Sequence, residues 1–182
     1  MIIPEDLSAI DMVQELVETT GWNFARSSEH LLTFDYGGDW GDYTFAVAEY
    51  IGHTECLIQC SLPFTLIPPP SKKKKKRALA RAAVAAQKQT IGQLLELFNL
   101  IHGAASLGQC SYQKKSELAV MVNWAYRLPV SDIPDEAVLE RVLNEALLEI
   151  DEFYPALMLV LSGTVNAEEA YKNAIPEHYG TA

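Results

Sequence analysis

Between Trp22 and Leu62 apolar residues recur at every second position within short segments separated by turn residues, and this pattern constrains the fold more than any other feature. In the clearest segment Tyr43, Phe45 and Val47 share one face. A period of two is typical of strands with one buried face, and short turns between strands favour antiparallel neighbours. The sequence therefore predicts an antiparallel meander with strands at Trp22 to Ala25, Leu31 to Tyr36, Tyr43 to Ile51 and Thr54 to Leu62.

Prolines separate this meander from a long helix. Pro63 and the run from Pro68 to Pro70 are expected to end the sheet segment, since proline cannot donate to a strand ladder. Ser71 is a candidate N-cap, and the alanine-rich sequence from Ala78 onward predicts a helix that stops at Gly103. Residues 63–77 are expected to form a connecting loop rich in proline and lysine. The predicted apolar stripe of the helix is Val84, Ile91, Leu94, Leu95, Phe98 and Ile101.

Two further strands and two helices are predicted after Gly103. The strands are Leu107 to Tyr112 and Leu118 to Leu128; the second is apolar on both faces, which indicates a central position. A helix is expected to start near Pro134, with Pro155 kinking or breaking it before the chain reaches Gly163. Its predicted buried stripe is Leu139, Val142, Leu143, Ala146, Leu147, Ile150 and Phe153.

Helices also begin and end the chain. The first is predicted from Leu7 to Thr20 with Gly21 as its stop, and a short last one after Asn166, where Asn166 and Glu169 resemble a capping box. The element order is then α-β-β-β-β-α-β-β-α-α. This order predicts an α+β fold with helices packed on one face of an antiparallel sheet.

Length and composition favour one globular domain spanning residues 1–182. The chain has 49% apolar and 21% charged residues, close to the globular average. The apolar run from Pro155 to Leu161 is far too short for a membrane span, and we expect no signal peptide at the N-terminus. Three cysteines, an odd number, are best explained as free thiols in a reducing cytoplasm.

Charge is distributed unevenly. Residues 71–90 hold eight of the 14 basic residues and no acidic one, so the remaining sequence has six basic and 24 acidic residues, a net charge of −18. Such an acidic body argues against a nucleic-acid partner. The basic cluster itself is either a solvated entry to the long helix or an electrostatic tether for an anionic surface. It comprises Lys72, Lys73, Lys74, Lys75, Lys76 and Arg77.

Familiar site patterns do not occur in the sequence. The four histidines are scattered, so no metal site and no cofactor are predicted. Cys56 and Cys60 fall on one face of a predicted strand, which is expected to be buried. Ser106 lies between a helix and a strand, whereas a nucleophile elbow needs a strand followed by a helix.

The turn segment from Asp35 to Tyr43 concentrates three carboxylates (Asp35, Asp39 and Asp42) and three aromatic residues. One interpretation is a structural turn whose aspartates cap backbone amides while Trp40 and Tyr43 pack inward. A second is a recognition turn, with Trp40, Tyr43, Asp39 and Asp42 as partner-binding residues. A third is acid–base chemistry by the three aspartates, in an enzyme of unrecognised type.

Motifs along nearly the whole chain resemble one family. Asp39-Trp40-Gly41-Asp42-Tyr43 looks like the WGDY turn of the YbjN-type bacterial regulators, which are proposed to act in sensory transduction. Trp124 to Arg127, Glu152 to Leu157 and the closing stretch through His178 are similar to later motifs of that family. The resemblance implies a fold related to the small dimeric chaperones of type III secretion, and hence a homodimer that binds a protein client.

Taken together, residues and resemblance favour a non-enzymatic, cytoplasmic protein-interaction module with regulatory or chaperone-like character. The acidic body suits a basic or amphipathic protein client better than a nucleic acid. The alternatives that stay open are an enzyme using Asp35, Asp39 and Asp42, and a tether acting through Lys72 to Arg77.

Overall fold

The chain was analysed as a computed structural model that describes residues 8–49, 55–66, 76–103, 107–116, 119–129, 133 and 136–175. Its helices are α1 (Ala9–Thr20), α2 (Lys76–Gly103), α3 (Glu136–Leu161) and α4 (Ala167–Ala174). Its strands are β1 (Phe24–Ser28), β2 (Leu31–Gly37), β3 (Asp42–Glu49), β4 (Glu55–Thr65), β5 (Gln109–Lys114) and β6 (Ala119–Pro129). They form an antiparallel sheet in the order β1-β2-β3-β4-β6-β5. The predicted α+β class and element order are confirmed.

Residue contacts divide the chain into two compact units. Of the described residues, the first unit takes those within 1–62, 107–109 and 123–149, and the second takes those within 63–106, 110–122 and 150–182. The organisation of the chain as one domain stays a prediction.

In the first unit, α1 packs against β2 and β3 and is closed at both ends by its own sequence. Ser8 and Asp11 form a reciprocal capping box: the Ser8 hydroxyl accepts from the Asp11 N–H, and the Asp11 carboxylate accepts from the Ser8 N–H. At the other end Gly21 adopts φ 74° as predicted for a stop. Trp22 then donates its N–H to the Val17 carbonyl, which places it in the helix cap and not in a strand, so β1 starts at Phe24.

The buried face of the meander is the one that the alternation predicts. Tyr43, Phe45 and Val47 are all buried. The prediction that Pro63 ends the sheet segment is wrong, because β4 continues to Thr65. Residues Cys56 to Ser61 of β4 pair with β3. Pro63 lies beyond these pairs, so the N–H that proline lacks is not needed for them.

In the second unit, α2 packs against α4, and the side chain of Gln93 accepts the Ala167 N–H at 2.7 Å. The predicted stripe of α2 is partly wrong, since Val84 is 58% and Leu95 46% exposed. The buried residues of its described part are Leu94, Leu97, Phe98 and Ile101. The predicted loop 63–77 is shorter at both ends, because Thr65 closes β4 and Lys76 opens α2; Ser71 and the triple proline lie outside the described residues.

The helix α3 runs unbroken through Pro155. A proline inside a helix lowers the stability of the helix by about 3 kcal/mol or more. In α3, Phe153, Ala156 and Leu157 on either side of Pro155 are buried, and their packing offsets this loss. The seven residues predicted for its buried stripe are all buried. Helix α4 has Asn166 as its N-cap, and the Asn166 side chain accepts the Glu169 N–H, which is one half of the predicted capping box.

The central position predicted for the Leu118 to Leu128 strand is confirmed, since β6 pairs with β4 on one side and β5 on the other. None of the helices in the described ranges has the length and hydropathy that a membrane span requires.

Candidate functional site

The hairpin between β2 and β3 holds the turn that the sequence singles out. Gly37 lies opposite Asp42 at the end of the two strands, and residues 38–41 make the reversal. The Gly38 N–H donates to the Gly41 carbonyl at 2.9 Å, which closes the turn. The residues of the turn therefore have a defined backbone on which to present their side chains.

Stacked aromatic rings fix the base of this hairpin. Tyr36 and Tyr43 face each other across the strands with ring centroids 6.4 Å apart. Two register positions further along, Phe34 stacks on Phe45 at 5.3 Å, and Trp22 stacks on Phe34 at 5.4 Å. Such cross-strand aromatic pairs stabilise antiparallel ladders. The turn therefore extends from a packed platform.

The two aromatic candidates of the turn have opposite environments. Tyr43 is 1% exposed and belongs to the core, so it presents no surface to a partner. Trp40 is 57% exposed, one of the largest apolar side chains that the described chain leaves in water. The interpretation in which both pack inward is wrong for Trp40, and the interpretation in which both are surface anchors is wrong for Tyr43.

The three carboxylates of the turn are all exposed. Asp35 accepts a hydrogen bond from the Thr44 hydroxyl at 2.9 Å, across the strands from its own position. Asp39 and Asp42 flank Trp40 at the tip. Within the described ranges no three His, Cys, Asp or Glu side chains converge in a way that could hold a metal ion. The turn therefore combines one exposed indole with carboxylates on either side of it.

The predicted basic cluster is described only in part. Lys76 and Arg77 are the first residues of α2, while Lys72 to Lys75 lie outside the described residues. The electrostatic tether stays a prediction.

Cys56 and Cys60 are fully buried in β4, as predicted. Burial raises the pKa of both thiols to about 12, and the nearby Glu49 carboxylate contributes to the rise at Cys56. Thiols with so high a pKa are structural and unreactive. Cys110, in β5, is half-buried.

A long-range polar contact in the first unit was not predicted from the sequence. The carboxylate of Glu149 is 9% exposed and accepts the N–H groups of Leu107 at 3.1 Å and Gly108 at 3.3 Å. A Cβ on Gly108 would come within 2.1 Å of the Trp124 ring, so only glycine fits there. The indole N–H of Trp124 has no hydrogen-bond partner within the described structure. The hydrogen-bond partners of Glu149 lie 41 and 42 residues away in the sequence, so no local pattern predicts this contact. The one available signal is that Glu149 falls on the apolar stripe of α3.

Comparisons with known proteins add little to this description. No protein-family model and no curated protein matches the sequence. Among solved structures, that of YbjN from E. coli, a proposed transcription regulator, is similar with a TM-score of 0.43 and 9% identity over 85% of this chain and 94% of that chain. A likeness at this level assigns no family and no function, and membership of the YbjN-type family stays a prediction.

Proposed function

We propose that the chain is a non-enzymatic protein-interaction module, regulatory or chaperone-like in character, that acts in the cytoplasm. The observation that carries the proposal is the exposure of Trp40 at the tip of a hairpin whose base is packed. Tryptophan is enriched among the residues that dominate binding energy at protein interfaces. Held on a fixed turn, it loses little conformational freedom when a partner covers it.

The charge around Trp40 indicates the chemistry of the client. Asp39 and Asp42 flank the indole, and the sequence outside residues 71–90 carries a net charge of −18. A basic or amphipathic segment would place an apolar side chain against Trp40 and its cations beside the carboxylates. An acidic client or a nucleic acid would be repelled.

The test is an affinity capture from the host lysate with the wild-type chain and the variant Trp40→Ala, read by mass spectrometry. Trp40→Ala is expected to lose the client while its free energy of unfolding stays within about 0.5 kcal/mol of wild type, since the side chain is exposed. Phe24→Ala is the matched control: Phe24 is 38% exposed on β1, in the same unit, and its loss should leave the client bound. Clients that both variants retain would contradict the proposal.

Tyr43→Ala separates binding from folding. Because Tyr43 is core, its truncation should destabilise the chain by about 3–5 kcal/mol, measured by urea unfolding. If Trp40→Ala lost as much stability as Tyr43→Ala, the indole would be packed against the rest of the chain, and the proposal would be contradicted.

The motif resemblance also supports a homodimer, as the functional form of the module. Sedimentation equilibrium is expected to give twice the chain mass of 20.2 kDa. A monomer at all concentrations would contradict this part of the proposal.

A further inference from the structure

Part of α2 presents a helix face that its own unit leaves uncovered. No residue from Val84 to Gln93 is buried, although the same helix is anchored further on by Leu94 and Leu97. Val84 is 58% exposed and Leu95 is 46% exposed. An uncovered helix face that carries large apolar side chains is a candidate interaction surface.

The charges of this face are few, and they are placed evenly about one residue. From Val84 to Gly103 the sequence has one lysine, Lys88, and one carboxylate, Glu96, and it has no arginine. Both side chains are exposed; no described residue pairs with Lys88, and Glu96 accepts one hydrogen bond, from the Gln93 amide of its own helix. Lys88 comes four residues before Gly92 and Glu96 four residues after it, so they lie about 40° to either side of Gly92 around the helix axis.

Gly92 is also the position at which another backbone can come closest to α2. It is exposed, and no described atom lies within 4 Å of the position that its Cβ would take. Glycine inside a helix costs about 0.5–1 kcal/mol relative to alanine, and nothing in the described chain uses the space that it leaves. A second helix that crosses α2 at Gly92 uses that space, because the side chains at a crossing set how closely two helices approach.

A second copy of α2 that crosses antiparallel at Gly92 complements both charges. A twofold axis through Gly92 places residues equally far before and after it at the same level across the pair. Lys88 of each copy then meets Glu96 of the other, which forms two ion pairs. Leu95, next to Glu96, is covered by the methylene stem of Lys88 from the other copy. The midpoint of the two charges and the residue without a side chain therefore select the same register.

Other occupants match the two charges less well. A parallel second copy would place Lys88 against Lys88 and Glu96 against Glu96. An acidic helix or an anionic lipid surface would meet the like charge of Glu96, and a basic helix would meet that of Lys88. In the antiparallel register, residues 76–80 are level with residues beyond the end of the second copy's α2 at Gly103, so the two ion pairs do not depend on them.

We propose that this face of α2 is the dimer interface of the chain, in which two copies cross antiparallel at Gly92 and are joined by a Lys88–Glu96 pair on each side of the crossing. The inference rests on the homodimer proposed above and adds the surface that forms it. The interface belongs to the second unit and the Trp40 turn to the first, so a second copy and a client use different residues.

Sedimentation equilibrium of the full chain tests the pairing by charge reversal. Lys88→Glu and Glu96→Lys each replace two attractive pairs by two repulsive ones, so each variant alone should raise the dissociation constant of the dimer at least about tenfold. An equal mixture of the two variants should form the dimer again, because the carboxylates of the first then face the ammonium groups of the second. The double variant Lys88→Glu/Glu96→Lys should dimerise like the wild type.

Two further variants separate the interface from the fold. Gly92→Gln fills the crossing and should weaken the dimer at least about tenfold. The melting temperature of that variant, measured in a solution dilute enough for the monomer, should hold or rise, since glutamine favours the helix. Lys114→Glu makes the same charge change as Lys88→Glu on an exposed lysine of β5 in the same unit, and it should leave the dimer unchanged.

The outcomes distinguish this inference from the homodimer on which it rests. A wild-type chain that stays monomeric would overturn both, and its cosedimentation with phosphatidylserine vesicles or capture of another protein through Lys88 would assign the face to that occupant. A wild-type dimer that Lys88→Glu, Glu96→Lys and Gly92→Gln leave intact would overturn the inference alone. If both charge variants are monomeric and their mixture does not dimerise, the antiparallel pairing is wrong. A dimer that is lost in each variant and regained in the mixture supports it.

Discussion

Trp40 and Tyr43 are three residues apart in one motif, yet the structure gives one to solvent and the other to the core. The difference arises because Tyr43 lies on a strand, at a position whose side chain points to the buried face, while Trp40 belongs to the reversal before that strand. Alternation governs side-chain direction only within the ladder. At the turn, local backbone geometry replaces it, so the sequence could not assign Trp40 to either side.

The three cysteines offer a prediction at the same scale. In the native protein, a thiol-disulfide reagent at mildly alkaline pH should modify Cys110 and leave Cys56 and Cys60 unmodified. With a pKa of about 12, only about one thiol in ten thousand is ionised at pH 8, and both thiols are fully buried. All three should react at once in denaturant. Three equally fast reactions in the native state would contradict the buried placement.

At the scale of elements, α1 is held by charge as well as by packing. Asp11 closes the capping box with Ser8 and also accepts from the Arg26 guanidinium at 2.8 Å, which joins α1 to β1. The Arg26 hydrogen bond, followed by that of Ser8, lowers the pKa of Asp11 below its ordinary value of 3.8. The ionised carboxylate is therefore the form that stabilises the folded chain.

Because the pKa of Asp11 is lowered in the folded chain, the effect of removing its charge on stability should depend on pH. Asp11→Asn should destabilise the chain by about 0.5–1 kcal/mol at neutral pH, a modest figure because the side chain is partly exposed. The contribution is fully present above the ordinary pKa of 3.8 and is lost as the pH falls through the lower folded-state pKa, so the two proteins should converge in acid. Urea unfolding across a pH series measures the gap. Glu18→Gln, on the same helix, is the control, and a gap that persists in acid would refute the assignment.

Gly92 gives a second prediction for an element. Gly92→Ala should raise the free energy of unfolding by about 0.5–1 kcal/mol, because alanine favours the helix and its Cβ meets no described atom. Thermal unfolding with Gly108→Ala as the opposite control checks it, since there the Cβ would collide with the Trp124 ring. A destabilised Gly92→Ala would mean that the side of α2 next to Gly92 is already filled in the free protein.

At the scale of the whole molecule, Glu149 connects segments that are far apart in sequence. Glu149→Ala removes the acceptor of two backbone N–H groups, Leu107 and Gly108, and should cost about 2–4 kcal/mol. Glu149→Gln keeps one acceptor oxygen and should cost about half as much. Urea unfolding together with amide exchange at Gly108 measures both effects. Equal losses in the two variants would contradict this expectation, because they would mean that the remaining amide oxygen does not replace the carboxylate as acceptor.

Most of the architecture was open to prediction because it depends on local regularities. The period of two placed Tyr43, Phe45 and Val47, and the helical period placed the seven buried apolar residues of α3 between Leu139 and Phe153. The errors came where a neighbour far along the chain decides the outcome. Pro63 and Pro155 were assigned by local rules, and both are accommodated inside regular elements by what surrounds them.

By itself, therefore, the sequence determined the element types, their order, the capping glycine at Gly21 and the buried faces of β3 and β4, since hydrophobic periodicity and turn chemistry act over a few residues. Tertiary structure alone decided that Trp40 is exposed, that Glu149 binds the bend at Leu107 and Gly108, and that α2 leaves Val84, Gly92 and Leu95 open. The physical reason is that burial of a given side chain depends on which element covers it. That choice is made by contacts between segments distant in sequence, for which the chain carries no local pattern.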